Sequence, residues 1–180
     1  MRLGGMILTG GASRRMGQDK AAILWSGVRA VDRIAEIARL CGAAPVITVG
    51  ARTYGLPFAV DKPEPGGPVG GVLAGADMLR EAGCDTALVL ATDAPTMIID
   101  DLALLLGGGA PGAAFEGLPL PMIIDLAAIP ADARPNWPLA RLVECAGLLI
   151  IPCDAAVRAR VRGANTPEEH AALLASLKSG

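Results

Sequence analysis

The run Thr86-Ala87-Leu88-Val89-Leu90-Ala91 has no polar alternation. A strand with one wet face alternates apolar and polar residues, so an unbroken apolar run reads as a strand covered on both faces. Covering both faces needs a layer on each side, which restricts the chain to a layered α/β architecture. The remaining sequence supplies those layers. Short apolar runs at 5–8, 45–49, 58–61 and 148–151 read as further strands. Between them, Val31, Ile34, Ala38 and Cys41 fall on one helical face, and residues 69–82 and 139–146 also read as helices. Asp100 is the expected N-cap of a helix running to Leu106. Beyond the glycine-rich loop 107–112, residues 113–116 and 120–126 read as strands joined at Gly117, a small antiparallel insertion. Thr166 with Glu169 forms the capping-box spacing of a terminal helix. The expectation is an α/β fold of three α/β/α layers, with a mainly parallel sheet and one domain over 1–180.

Composition narrows the function classes. The chain has 180 residues, 52% of them apolar and 19% charged, enough apolar surface to offset the entropy of ordering. Net charge is −2, so no basic excess points to nucleic acid or an anionic membrane. No uncharged apolar stretch is long enough for a membrane span, and the first apolar run breaks at Gly10-Gly11. The four cysteines form no C-x-x-C pair and read as small buried hydrophobes in a reducing, cytoplasmic setting. His170, the one histidine, reads as a solvated residue of the terminal helix.

The chemistry concentrates where the first strand ends, at Leu8-Thr9-Gly10-Gly11-Ala12-Ser13-Arg14-Arg15-Met16-Gly17-Gln18-Asp19-Lys20. The paired glycines let backbone amides approach phosphates, and Ser13 adds a hydroxyl donor. Arg15 and Lys20 supply the fixed positive charge that a triphosphate needs beyond amide dipoles. The spacing is neither a Walker A loop nor a G-x-G-x-x-G dinucleotide loop. Further on, Thr92-Asp93-Ala94-Pro95 follows the fully apolar strand, which places Asp93 at a carboxyl strand end, where open α/β sheets bind ligands. A carboxylate there suits Mg²⁺, which prefers oxygen ligands and substrate phosphates.

The first loop resembles the molybdenum cofactor guanylyltransferases, within the wider nucleoside-triphosphate transferases. The family pattern L-x-G-G-x-S-x-R-M-G-x-D-K is matched by Leu8, Gly10, Gly11, Ser13, Arg15, Met16, Gly17, Asp19 and Lys20. The resemblance implies a Rossmann-like fold and a Mg²⁺-dependent enzyme. That enzyme would move GMP from GTP to the phosphate of a molybdopterin-type acceptor and release pyrophosphate. It implies that Leu8, Thr9 and Gly10 contact base and ribose, that Arg15 and Lys20 face the phosphates, and that Asp93 holds the metal. The glycine pair, where cytidylyl relatives more often carry Ala-Gly, favours guanine.

Two later segments extend the resemblance. Asp61 ends a strand before Gly67-Pro68-Val69-Gly70-Gly71, similar to the family's strand-end aspartate and G-P-L-x-G segment, with Val69 for the leucine. By that resemblance Asp61 contacts the nucleotide, and Gly67 and Gly71 shape the wall beside the base. Asn165-Thr166-Pro167-Glu168 is similar to the family's N-x-N-T-P-E ending and assigns Asn165 to the acceptor side. Two departures stand out. Gly117-Leu118-Pro119-Leu120-Pro121 lacks the glutamine of the family's acceptor segment, and Gly50 replaces an asparagine that several relatives use toward the nucleotide. The resemblance also implies transient contacts with proteins that supply or receive the cofactor. A cytidylyltransferase on the same or another phosphorylated acceptor, or a nucleotide-binding module without catalysis, are the alternatives.

Overall fold

The computed structural model describes residues 1–10, 19–50, 52–60, 67–94 and 96–163, with positions 169, 172 and 175 helical. Seven strands form one sheet in the order β5-β4-β1-β6-β8-β7-β9. They are β1 (Leu3–Leu8), β4 (Val46–Gly50), β5 (Phe58–Val60), β6 (Thr86–Ala91), β7 (Gly112–Phe115), β8 (Leu118–Asp125) and β9 (Leu149–Ile151). Pairings β5·β4, β4·β1, β1·β6 and β7·β9 are parallel, while β8 runs antiparallel to both β6 and β7. The antiparallel insertion is thus a single strand inside the sheet, delivered by a hairpin turning at Glu116-Gly117, where Gly117 has φ +70°.

Helices cover both faces, as the run at 86–91 requires. The helices are α1 (Ala30–Leu40), α2 (Gly67–Glu81), α3 (Ile99–Leu106), α4 (Leu139–Cys145) and α5 (Ala155–Val161). Met6, Leu8, Val89 and Ala87 point to the layer of α2 and α4, where they meet Val72, Leu79 and Leu142. Ile7, Leu88 and Leu90 point the other way, to α1, α3 and α5, where they meet Ile34, Leu102 and Val161. This two-residue alternation is the strand period itself, and both phases are buried.

Local chemistry explains the elements that differ from the sequence expectation. Residues 24–29 form a small hairpin, β2 (Leu24–Trp25) with β3 (Val28–Arg29), through Ser26 and Gly27 at positive φ. That is the two-residue turn that favours Gly at its second position. Asp100 is not the cap of α3. Asp101, one residue on, reaches back and its Oδ2 accepts from the Ile98 amide at 2.9 Å. The short α5 was not expected; Asp154 caps it, its Oδ1 accepting from the Val157 amide at 2.8 Å. Of the cysteines only Cys84 is buried; Cys41 and Cys153 are half-buried and Cys145 is exposed, all as free thiols. Among the described residues, no helix is long and apolar enough to cross a membrane. Thr166 and His170 lie outside the described residues.

Candidate active site

The sheet is filled outward from β1 to β4 to β5, and α2 then carries the chain back to β6 on the other side of β1. The strand order therefore reverses between β1 and β6. In open α/β sheets the crevice beyond the carboxyl ends at such a reversal is the ligand site. Leu8 and Ala91, the last residues of β1 and β6, are register partners. The loop entered at Thr9 and the turn carrying Asp93 consequently leave the sheet side by side.

On the β1 side, the Leu8 side chain is buried and packs in the core, so only its backbone belongs to the site. The Thr9 hydroxyl donates to the Val49 carbonyl at 2.9 Å, and the Thr9 and Gly10 amides donate to the same oxygen at 2.9 and 3.3 Å. A Cβ at Gly10 would meet nothing closer than the Gly50 Cα at 3.7 Å, and its φ is not positive. Among the described residues, nothing therefore demands glycine at position 10. A Cβ at Gly50 would lie 2.6 Å from the Thr9 Oγ1. Thr9 thus fills the volume that a side chain at position 50 would take.

Lys20 is placed by a short 3-10 turn over Lys20–Ala22, which Asp19 caps through the Ala21 amide at 3.1 Å. Asp19 is held in turn by the Tyr54 hydroxyl, which donates to Oδ2 at 2.7 Å, and by Arg52 at 3.8 Å. Burial first, and then the hydrogen bond to Asp19, push the Tyr54 phenol up to about 12. No sequence motif pointed to Tyr54, because its partner is 35 residues away and comes close only when β4 ends beside β1.

On the β6 side, Asp93 is half-buried. Burial raises its carboxyl above the ordinary carboxylate range, and the Lys20 ammonium pulls it partly back. The structure therefore places two sequence-predicted groups, 73 positions apart, near enough for the charge of one to act on the other. Beside Asp93 lies a cavity of about 150 Å³ walled by Ala94, Met97, Leu120, Pro121 and Arg162. Residues 118–121 border the same cavity as Asp93.

Gly67 and Gly71 behave differently from each other. Gly67 is exposed, with φ +67°, at the start of α2. Gly71 is buried, and a Cβ there would meet Leu8 Cδ2 at 3.4 Å and Val49 Cγ1 at 3.5 Å. Those are ordinary contact distances, so the packing of α2 on the sheet does not itself demand glycine at position 71. At the start of α2 the Gly70 amide already donates to the Pro135 carbonyl at 3.3 Å. Gly11, Ser13, Arg15, Asp61 and Asn165 lie outside the described residues.

The donor set fits one kind of metal. Among the described residues no group of three or more His, Cys, Asp or Glu side chains could hold an ion. One carboxylate, Asp93, at a carboxyl strand end suits Mg²⁺, which keeps waters and takes its other oxygens from substrate phosphates.

Comparison with known proteins bears on the same elements. The pattern of the MobA-like NTP transferase domain matches residues 5–123. A molybdenum cofactor guanylyltransferase of Rhodobacter capsulatus is 37% identical over 116 residues, 62% of this chain and 60% of that protein. The alignment with it therefore spans less than two thirds of its length. A molybdenum cofactor guanylyltransferase of Xanthomonas euvesicatoria pv. vesicatoria is 31% identical over 182 residues, 94% of this chain and 93% of that protein. The solved structure of molybdopterin-guanine dinucleotide biosynthesis protein A from Archaeoglobus fulgidus shares the fold. Its TM-score is 0.67 at 18% identity, covering 100% of both chains. The domain match begins in β1 and ends in β8, so it takes in the end of β1, Lys20 and the Asp93 turn together. The chain belongs to the MobA-like NTP transferase family.

Proposed function

We propose that the protein transfers GMP from GTP to the terminal phosphate of a molybdopterin-type acceptor and releases pyrophosphate. The observation that carries this reading is the strand-order reversal, where the loop leading to Lys20 and the turn carrying Asp93 leave the paired ends of β1 and β6 side by side. The family and the guanylyltransferase names of its relatives support the nucleotide and the acceptor.

An acceptor phosphate oxygen attacks the α-phosphorus in line. One new O–P bond forms, the bond to the bridging oxygen of the β-phosphate breaks, and the electron pair leaves with pyrophosphate. A phosphate monoester oxygen is already anionic at neutral pH, so no strong base is required. The protein's work is positioning and charge stabilisation. Lys20, fixed by the Asp19-capped turn, reaches the phosphates and offsets the charge gathering on the leaving group. Asp93 would hold Mg²⁺, which when bound neutralises phosphate charge. The cavity beside Asp93 offers the acceptor an apolar wall at Leu120 and Pro121, next to the carboxylate.

Pyrophosphate release with GTP, Mg²⁺ and the molybdopterin-type acceptor tests this reading. Release that requires all three supports it. Tight GTP binding without release contradicts it in favour of a binding module, and faster release from CTP contradicts the choice of guanine.

A further inference from the structure

The end of α5 presses on Asp93. Gly163, two residues beyond α5, has φ +76°. A Cβ there would lie 2.7 Å from the Asp93 carbonyl oxygen and 2.9 Å from its Cγ. No side chain fits between them, and the left-handed backbone disfavours one as well. The Gly163 backbone therefore closes one side of the Asp93 carboxyl.

That contact is held from behind. The Arg160 Nε donates to both Asp101 carboxylate oxygens at 3.0 Å, and its Nη2 donates to Oδ1 at 2.6 Å. The Asp101 side chain is 1% exposed and also caps α3 through the Ile98 amide. The Thr96 hydroxyl donates to the Arg160 carbonyl at 3.3 Å. The turn after β6 and the first turn of α3 are thus joined to the end of α5 at three points, two polar and one steric. Asp101 and Arg160 are 59 positions apart and lie outside the nucleotide loop.

We infer that Gly163, clamped by the Asp101–Arg160 pair, is a positioning residue that directs the Asp93 carboxylate into the crevice. The inference deepens the proposed reading and rests on Asp93 as the metal-holding group. A carboxylate with one side closed by backbone loses the rotamers on that side and keeps those facing the phosphates. Arg160 and Asp101 touch no substrate; they act through Gly163.

The test measures how much Mn²⁺ tightens GTP binding, by calorimetry on the full chain with Mn²⁺ or with chelator and no acceptor. Asp93→Asn should remove most of the tightening. Gly163→Ala and Arg160→Gln should each reduce it by about tenfold or more, the size seen when groups supporting a metal ligand are lost. Their metal-free GTP affinity should stay within about twofold of the parent, because the β1 loop is untouched. Arg160→Lys, which keeps one charged bond to Asp101, should fall between. A general structural defect would instead weaken GTP binding with and without Mn²⁺, and that result overturns the inference. Full Mn²⁺ tightening in Gly163→Ala and Arg160→Gln, with Asp93→Asn defective, overturns it while leaving the reading of Asp93 intact. Full tightening in Asp93→Asn removes that reading and the inference with it. Arg160→Gln keeps the test decisive should Gly163→Ala fail to fold.

Discussion

Leu8 and Ala91 are register partners at the ends of two parallel strands, and that pairing sets the candidate site. One step past Leu8 the chain enters the nucleotide loop, and two steps past Ala91 it reaches Asp93. The strand order reverses at this pair, so no strand connection crosses the crevice above it. Lys20 and Asp93 can then share one site although each is held by its own local structure.

Removing either charge should reach turnover directly. Lys20→Ala and Asp93→Ala should each lower pyrophosphate release by at least about tenfold, the scale of losing one fixed charge at a reacting phosphate. Near-normal release would take that residue out of the mechanism. Asp93→Asn adds a stability arm. Burial disfavours the Asp93 charge, so the neutral isostere should unfold no lower than the parent in metal-free buffer. A carboxylate kept for structure would show a clear loss of Tm in that variant.

Gly50→Ala should disturb the nucleotide loop through Thr9. The added methyl would enter the space of the Thr9 Oγ1 and break its bond to the Val49 carbonyl. Loss of one such bond is worth about 0.5–1.5 kcal/mol. Urea unfolding should report a stability loss of that order, and the GTP KM should rise severalfold while kcat holds. An unchanged KM would separate Thr9 from the nucleotide.

Tyr54 gives a pH prediction with a single reporter, since it is the one tyrosine in the chain. Its phenol is raised to about 12 by burial and by the hydrogen bond to Asp19. The folded value exceeds the ordinary one of about 10, so the associated stability is fully present below about pH 10. It is lost as pH rises from there toward 12. Tyrosinate absorbance at 295 nm should titrate late in the folded protein, and Asp19→Asn should move the titration down. Titration near pH 10 in the folded parent would show that the Asp19–Tyr54 bond does not hold Lys20's turn.

Asp101→Ala should cost more stability than a surface carboxylate. It removes the cap on Ile98 and leaves Arg160 without its partner. Breaking a buried pair typically costs 3–5 kcal/mol. Arg160 keeps 35% of its side chain in water, so about 3 kcal/mol is expected. A loss under about 1 kcal/mol by urea unfolding would mean that α5 is held by packing alone.

Particular residues show what the sequence makes legible. The unbroken run at 86–91 carries the layered fold, because a strand buried on both faces has no polar alternation to hide. The turn residue Gly117 marks the β7–β8 hairpin for the same local reason. Asp93 and Lys20 are legible as residue types beside strand ends, yet their nearness arises only from sheet order. Asp101 for Asp100 is a one-residue error that cap geometry decides, since the carboxylate three positions inside reaches back to the Ile98 amide. Gly71, which the resemblance assigns to a ligand wall, is buried where α2 faces Leu8 and Val49. Tyr54, Arg160 and Gly163 carry no motif. Their partners are 35, 59 and 70 positions away, and only tertiary structure brings them together.

The most direct measurement is thermal unfolding with Mg²⁺ and GTP, CTP or ATP in parallel. A ligand at about 100 times its dissociation constant adds about 2.7 kcal/mol of stability. The account predicts the largest rise in Tm with GTP, reduced when Asp93 is replaced by Asn. A larger rise with CTP, or no rise with any of the three, would contradict it.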